Sequence, residues 1–150
     1  MDSFSAGFAI CLLLIGWADW KWHMIWHAVT IPLTIAALWL AEQLPAQFCP
    51  NALAGGLLAF GVFFCIWWSA NRWYQALAFG FGDVMLAMVL GSLGGLFWGS
   101  WMLAVGMLLA GGTASLLLFF GRNSRLDAIP YGTFLAAGGF LVLLYWRIIS

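Results

Sequence analysis

Charge is what this sequence has least of. Its 150 residues hold five Lys and Arg and five Asp and Glu, 7% of the chain, and the formal net charge is zero. A water-soluble domain carries roughly 25% charged residues. With so few, and with 65% apolar residues and a mean hydropathy of +1.03, the chain has far too little polar surface to face water. Domains of this size expose a large share of what they own, so lipid must be the solvent for most side chains. A soluble enzyme and a disordered linker are excluded. The absence of any basic run removes nucleic acid as a partner. Cysteine is scarce and unpaired: Cys11, Cys49 and Cys65 form no C-x-x-C motif and are expected to be buried free thiols rather than a disulfide set or a metal site. The N-terminus, Met1-Asp2-Ser3, lacks the basic stretch and the cleavage motif of a signal peptide, so Phe4 onward is expected to be a retained first helix. Period-two alternation is missing too, which argues against a transmembrane barrel.

The rare charges divide the chain. Uncharged runs cover 3–18, 22–41, 43–71, 84–121 and 128–146, and the fourth of these is 38 residues long. A helix needs about 20 residues to cross a bilayer core, so that run is expected to be two spans joined by a tight turn at Trp98-Gly99-Ser100-Trp101. The expectation is an all-α, single-domain bundle over residues 1–150, with six transmembrane helices at 4–20, 26–43, 52–70, 83–98, 101–120 and 130–148. Lys21, Arg72, Arg122 and Arg125 fall in alternate connections, against Arg147 alone on the other side. The positive-inside rule puts those connections in the cytoplasm and both termini outside.

Two acids stand apart from the rest. Asp2 and Glu42 are expected at the outer surface, and Asp127 in a polar loop beside Arg122 and Arg125. Asp19 instead ends the first helix among apolar and aromatic residues, and Asp83 opens the fourth. A carboxylate facing lipid costs several kcal/mol, so each should face the bundle or a water-filled pocket. The basic residues set both acids at the same, cytoplasmic, interface, as a candidate pair. Asp83 could instead be a simple N-cap, and Asp19 an interfacial charge beside Lys21. Asp83, Ala87, Gly91, Gly95 and Gly99 recur every four residues, a ridge of small residues that lets helices approach closely in lipid. Asp83 is therefore expected at a helix–helix contact, with Val89 on a different, permissive face. Gly80 and Gly82 leave room for a substrate backbone beside the acid. His23 and His27 share a helical face at i, i+4, but no third ligand is evident, and interfacial anchoring among the tryptophans is the simpler reading.

Taken together, three segments make the chain similar to the type IV prepilin peptidases, the GxGD class of membrane aspartic proteases. Asp19 with Thr30-Ile31-Pro32-Leu33 resembles the family's first-aspartate segment. Gly80-Phe81-Gly82-Asp83 resembles the second-aspartate motif. Ile129-Pro130-Tyr131-Gly132-Thr133-Phe134-Leu135-Ala136 resembles the Pro-Phe-Gly-Pro-Phe-Leu segment of the last helix. The chain departs from the pattern at Trp26-His27, where the family has Pro-Asn or Pro-Asp, and at Met85, where Lys is frequent. It starts directly in its first helix without cysteine pairs, as in the short peptidase-only forms of Flp-type pilus systems or archaeal preflagellin peptidases. The resemblance implies a multi-pass enzyme of the inner (plasma) membrane that cuts a cytoplasmic leader from prepilin-like precursors. It implies Asp19 and Asp83 as catalytic residues, and Gly80, Gly82, Pro130 and Gly132 as residues contacting substrate. Two carboxylates a few Å apart cannot both ionise easily, so one can activate water while the other donates a proton; no metal or organic cofactor is needed. A non-catalytic scaffold of a pilus or secretion machine is the alternative, but it has no need to bring Asp19 and Asp83 together. A small transporter would want ionisable groups at mid-bilayer, whereas these acids sit at helix ends.

Overall fold

The computed structural model describes residues 3–22, 27–41, 51–74, 80–120 and 131–149. These form five helices and no strand: α1 (Ser3–Trp22), α2 (His27–Ala41), α3 (Ala52–Tyr74), α4 (Phe81–Phe119) and α5 (Tyr131–Ile149). Cys49, Glu42, Asp2, Asp127, His23 and Pro130 lie outside the described residues, as does the side chain of His27. The all-α expectation holds. The long apolar run does break into two helical limbs, as expected, but the turn lies not at 98–101 but at Gly95, whose φ of 63° and ψ of −162° are not helical. Only glycine occupies that backbone region without a penalty of about 1–3 kcal/mol, and this decides where the chain bends. The neighbouring Trp-Gly-Ser-Trp looked like a turn by composition, yet it continues as helix.

The bend at Gly95 folds α4 back on itself. In a straight helix, residues eight apart are about 12 Å apart, yet a methyl group on Gly99 would stand 2.9 Å from the Gly91 Cα. Two residues on opposite sides of the bend, Leu90 and Met102, both reach the Gly138–Gly139 stretch of α5. The limbs 81–94 and 96–119 therefore run side by side.

α4 is the centre of the bundle. It packs against α2, α3 and α5, while α1 leans on α5. Glycine makes these contacts close. A methyl group on Gly91 would lie 2.5 Å from the Gly55 carbonyl oxygen and 2.7 Å from the Ala59 Cβ, and one on Gly106 would lie 2.9 Å from the Leu135 Cα. The expected ridge does face protein: Asp83, Ala87, Gly91 and Gly95 are all buried. The expectation for Val89 is overturned, because it is 0% exposed. With neighbours on several sides, most of the first limb is covered; Val84, Leu86, Leu90 and Leu93 are buried as well, and Phe81, Met85 and Met88 form its one partly exposed strip.

Large apolar side chains lie exposed on all five helices, among them Leu14, Ile35, Leu57, Leu108 and Ile148. A water-soluble monomer rarely shows apolar patches on that scale. Among the described residues, two helical stretches, Ala52–Trp73 and the bent Phe81–Leu117, pass the length and hydropathy needed to cross a membrane, and Val29–Trp39 and Tyr131–Tyr145 are shorter apolar helices. The same outward orientation corrects the reading of the thiols: Cys65 is exposed and Cys11 half-buried, both free. Each sits on a helix face that has no protein neighbour to cover it fully.

The packing and the bend set the expected stability of three glycine variants. Gly91→Ala should destabilise the bundle by about 1–3 kcal/mol, the usual range for overpacking, because its methyl group meets backbone. Gly111→Ala, where nothing lies within 4 Å, should be neutral or stabilise by up to about 1 kcal/mol. Thermal denaturation in detergent, followed by helical circular dichroism, separates the two. The same measurement should show Gly95→Ala less stable by about 1–3 kcal/mol.

Candidate active site

Three helix ends meet at one end of the bundle. α1 arrives there with Asp19, one turn before its last residue; α4 starts there with Asp83, and α5 starts there with Tyr131, Gly132 and Thr133. The end of α3 joins them: the Trp67 ring meets that of Phe81 at 5.4 Å, edge to face. Lys21 on α1 and the exposed Arg72 in the last turn of α3 belong to this same end. The Lys21 ammonium lies over the Trp17 and Trp22 rings, 5.2 and 5.1 Å from their centroids. That arrangement suits a cation at a membrane interface, where its apolar stem and the rings share one environment.

Asp19 is 6% exposed. Its Oδ2 accepts hydrogen bonds from the Thr133 backbone N–H at 2.8 Å and from the Thr133 hydroxyl at 3.1 Å. Thr133 is the third residue of α5, where backbone N–H groups have no helical acceptor, and a carboxylate at a helix N-terminus is favoured by the helix dipole. The sequence folds this way because Gly16, one turn before Asp19, lets α5 come close. A methyl group there would stand 3.3 Å from the Ala136 Cβ.

Asp83 is 7% exposed. It is the third residue of α4, and its Oδ2 accepts from the Gly80 N–H at 3.3 Å while its own N–H donates to the Gly80 carbonyl at 3.1 Å. This is the acidic half of a capping box. The cap residue is thus Gly80 rather than Asp83, a correction to the simple N-cap reading. Asp83 feels the charge of Asp19, and Tyr131 lies within electrostatic reach of Asp83. Two acids 64 positions apart in sequence are thereby brought into one buried cluster.

The expected glycines are distributed around this pair. Gly80 is exposed and a methyl group on it would meet the Asp83 Oδ2 at 3.5 Å and the Gly82 nitrogen at 3.9 Å, both ordinary contacts, so it has room beside it. Gly82 and Gly132 are buried, each next in sequence to a residue of the cluster. Pro130, immediately before α5, lies outside the described residues. Sequence reasoning missed Thr133 as the partner of Asp19, Gly16 as the gap that admits it, and Tyr131 as the neighbour of Asp83. A signal was available for the first two: Gly16 and Asp19 share one face of α1 at i, i+3, which marks a close helix approach with an acid at its edge.

The chain matches the type IV leader peptidase family over residues 6–146. It is 29% identical over 135 residues to the leader peptidase HopD of Salmonella typhimurium, an alignment covering 86% of this chain and 84% of the relative. With the leader peptidase HopD of Escherichia coli it shares 27% identity over 139 residues, covering 89% and 86% of the two chains. No solved structure matches. The family match takes in both aspartates and reaches into every helix, and the chain therefore belongs to the type IV leader peptidase family, as a peptidase that removes the leader from prepilin-like precursors.

Proposed function

We propose that Asp19 and Asp83 carry out the cleavage as an aspartic pair. The observation that supports this most directly is their shared location: two buried carboxylates from separate helices lie within electrostatic reach of each other at one end of the bundle. Carboxylates so placed share a proton and act as one coupled unit. The ionised member takes a proton from water, and the resulting hydroxide adds to the scissile carbonyl carbon. The protonated member donates to the carbonyl oxygen as the tetrahedral intermediate forms. Proton transfer to the departing amide nitrogen then lets the C–N bond break, giving an acid and an amine. Water is the co-reactant, which suits a site at the membrane interface. Gly80, Gly82 and Gly132, together with Pro130 just before α5 in sequence, are the residues we assign to the path of the substrate backbone.

In this reading the enzyme is a multi-pass protein of the inner (plasma) membrane. The two limbs of α4 are separate crossings, which makes six with the other helices. Lys21 and Arg72 share the end of the bundle that holds the acids, and Arg122 and Arg125 fall in the connection between α4 and α5, which starts and finishes there. By the positive-inside rule that end is cytoplasmic and both termini are outside. A leader carried on the cytoplasmic side of a precursor meets the pair directly.

Asp19→Asn and Asp83→Asn should each lower the rate of leader cleavage in detergent by roughly 100- to 10,000-fold without loss of helicity, since Asn keeps the shape and much of the hydrogen bonding. A wild-type rate for either variant would refute the pair. For the topology, a unique cysteine at position 122 of an otherwise cysteine-free variant should react with a membrane-impermeant thiol reagent only after the cells are opened. Labelling from outside would reverse the orientation.

A further inference from the structure

Thr133 does more at Asp19 than one contact would. Its backbone N–H and its hydroxyl both converge on the same carboxylate oxygen, Oδ2, at 2.8 and 3.1 Å. The hydroxyl also stands 3.0 Å from the Gly16 carbonyl oxygen. With a single proton it donates to one of these acceptors at a time, and both lie one turn apart on the face of α1 that α5 touches. The backbone donor is independent of side-chain rotation because it belongs to the helix start.

A carboxylate on a short side chain swings about the Cβ–Cγ bond unless something stops it. An N–H at a helix N-terminus is a strong, directional partner for it, and a second donor from the same residue narrows the swing further. Binding Oδ2 in this way commits that oxygen and leaves Oδ1 to handle the proton of water. Catalytic geometry must hold to a fraction of an ångström, since a displacement of about 1 Å can cost about 100-fold in rate.

We propose that Thr133 is a positioning residue for the cleavage reaction, pinning Oδ2 of Asp19 so that Oδ1 is directed at the reacting water beside Asp83. This rests on the reading of Asp19 and Asp83 as the catalytic pair. The same helical turn carries Tyr131, half-buried and within electrostatic reach of Asp83. The start of α5 therefore holds Asp19 by hydrogen bonds and places Tyr131 within electrostatic reach of Asp83 on one rigid element.

The test is steady-state cleavage of a synthetic leader joined to an apolar helix, in detergent, with circular dichroism on every variant. Thr133→Val keeps the N–H and the branched shape but loses the hydroxyl; kcat should fall about ten-fold with KM within about two-fold. Thr133→Ser restores the hydroxyl and should recover most of kcat. Thr133→Pro removes both donors at a place in the first helical turn where proline is tolerated, and kcat should fall about 100-fold. Should the proline variant fail to fold, the Val and Ser pair decides alone. Wild-type kcat in Thr133→Val would overturn the proposal, as would a Ser variant as slow as Val, which would make the methyl group and not the hydroxyl responsible. A raised KM with kcat unchanged would also overturn it, marking a substrate contact. Asp19→Asn in the same assay separates the two levels. If it is inactive while Thr133→Val is normal, only the positioning role falls; if it cleaves at the wild-type rate, the catalytic pair falls and the positioning role with it.

Discussion

Close backbone contact at glycines is the constraint on which this bundle depends. In lipid there is little hydrophobic gain from bringing two apolar helices together, so association rests on van der Waals contact and on groups that let backbones approach. The protein meets that need where Gly55 lies on Gly91, where Gly99 folds back toward Gly91, where Gly106 lies against Leu135 and Gly138, and where Gly16 admits Ala136. Most of these contacts involve α4, which explains why most of its first limb is buried while the outer helices keep large apolar side chains exposed.

The same close packing makes polar chemistry affordable at one end. Buried carboxylates need hydrogen-bond donors, and helix starts supply them without extra side chains. Asp83 is satisfied by the cap of its own helix, and Asp19 by the first turn of a different one. The difference has a mechanical consequence. Asp83 is placed by local sequence and would keep its cap in an isolated helix, whereas Asp19 is placed only once α1 and α5 have docked. The cluster therefore forms as a product of assembly, with Gly16 as the residue that permits it.

Much was legible beforehand because membrane solvent simplifies the problem. Sparse charge and high hydropathy put most side chains in lipid, and the missing period-two alternation then favours helices over a barrel. The acids at helix ends, each beside an aromatic or glycine-rich segment, stood out because a carboxylate in such surroundings needs a reason. The three motifs around Asp19, Asp83 and the start of α5 led to the family that the comparison over residues 6–146 shows. Asp83, Ala87 and Gly91 of the small-residue ridge lie on one buried helical face as period-four spacing implies, but the bend at Gly95 ends that face and places Gly99 on the second limb, against Gly91.

What composition and spacing determined, then, was the solvent, the helical class, the acids worth attention and the family they belong to, because each depends on residue type and local period alone. Only the tertiary structure decided that the long apolar run turns at Gly95 and not at Trp98–Trp101, since several glycines were equally able to turn and packing against Gly55 and α5 selects among them. It alone decided that Val89 is buried, because burial depends on how many neighbours surround a helix and not on the helix itself. It alone joined Thr133 to Asp19, 114 positions apart, because the Gly16–Asp19 spacing marks a close approach on α1 but not which helix start comes to it, and that is settled only where the fold brings the two together.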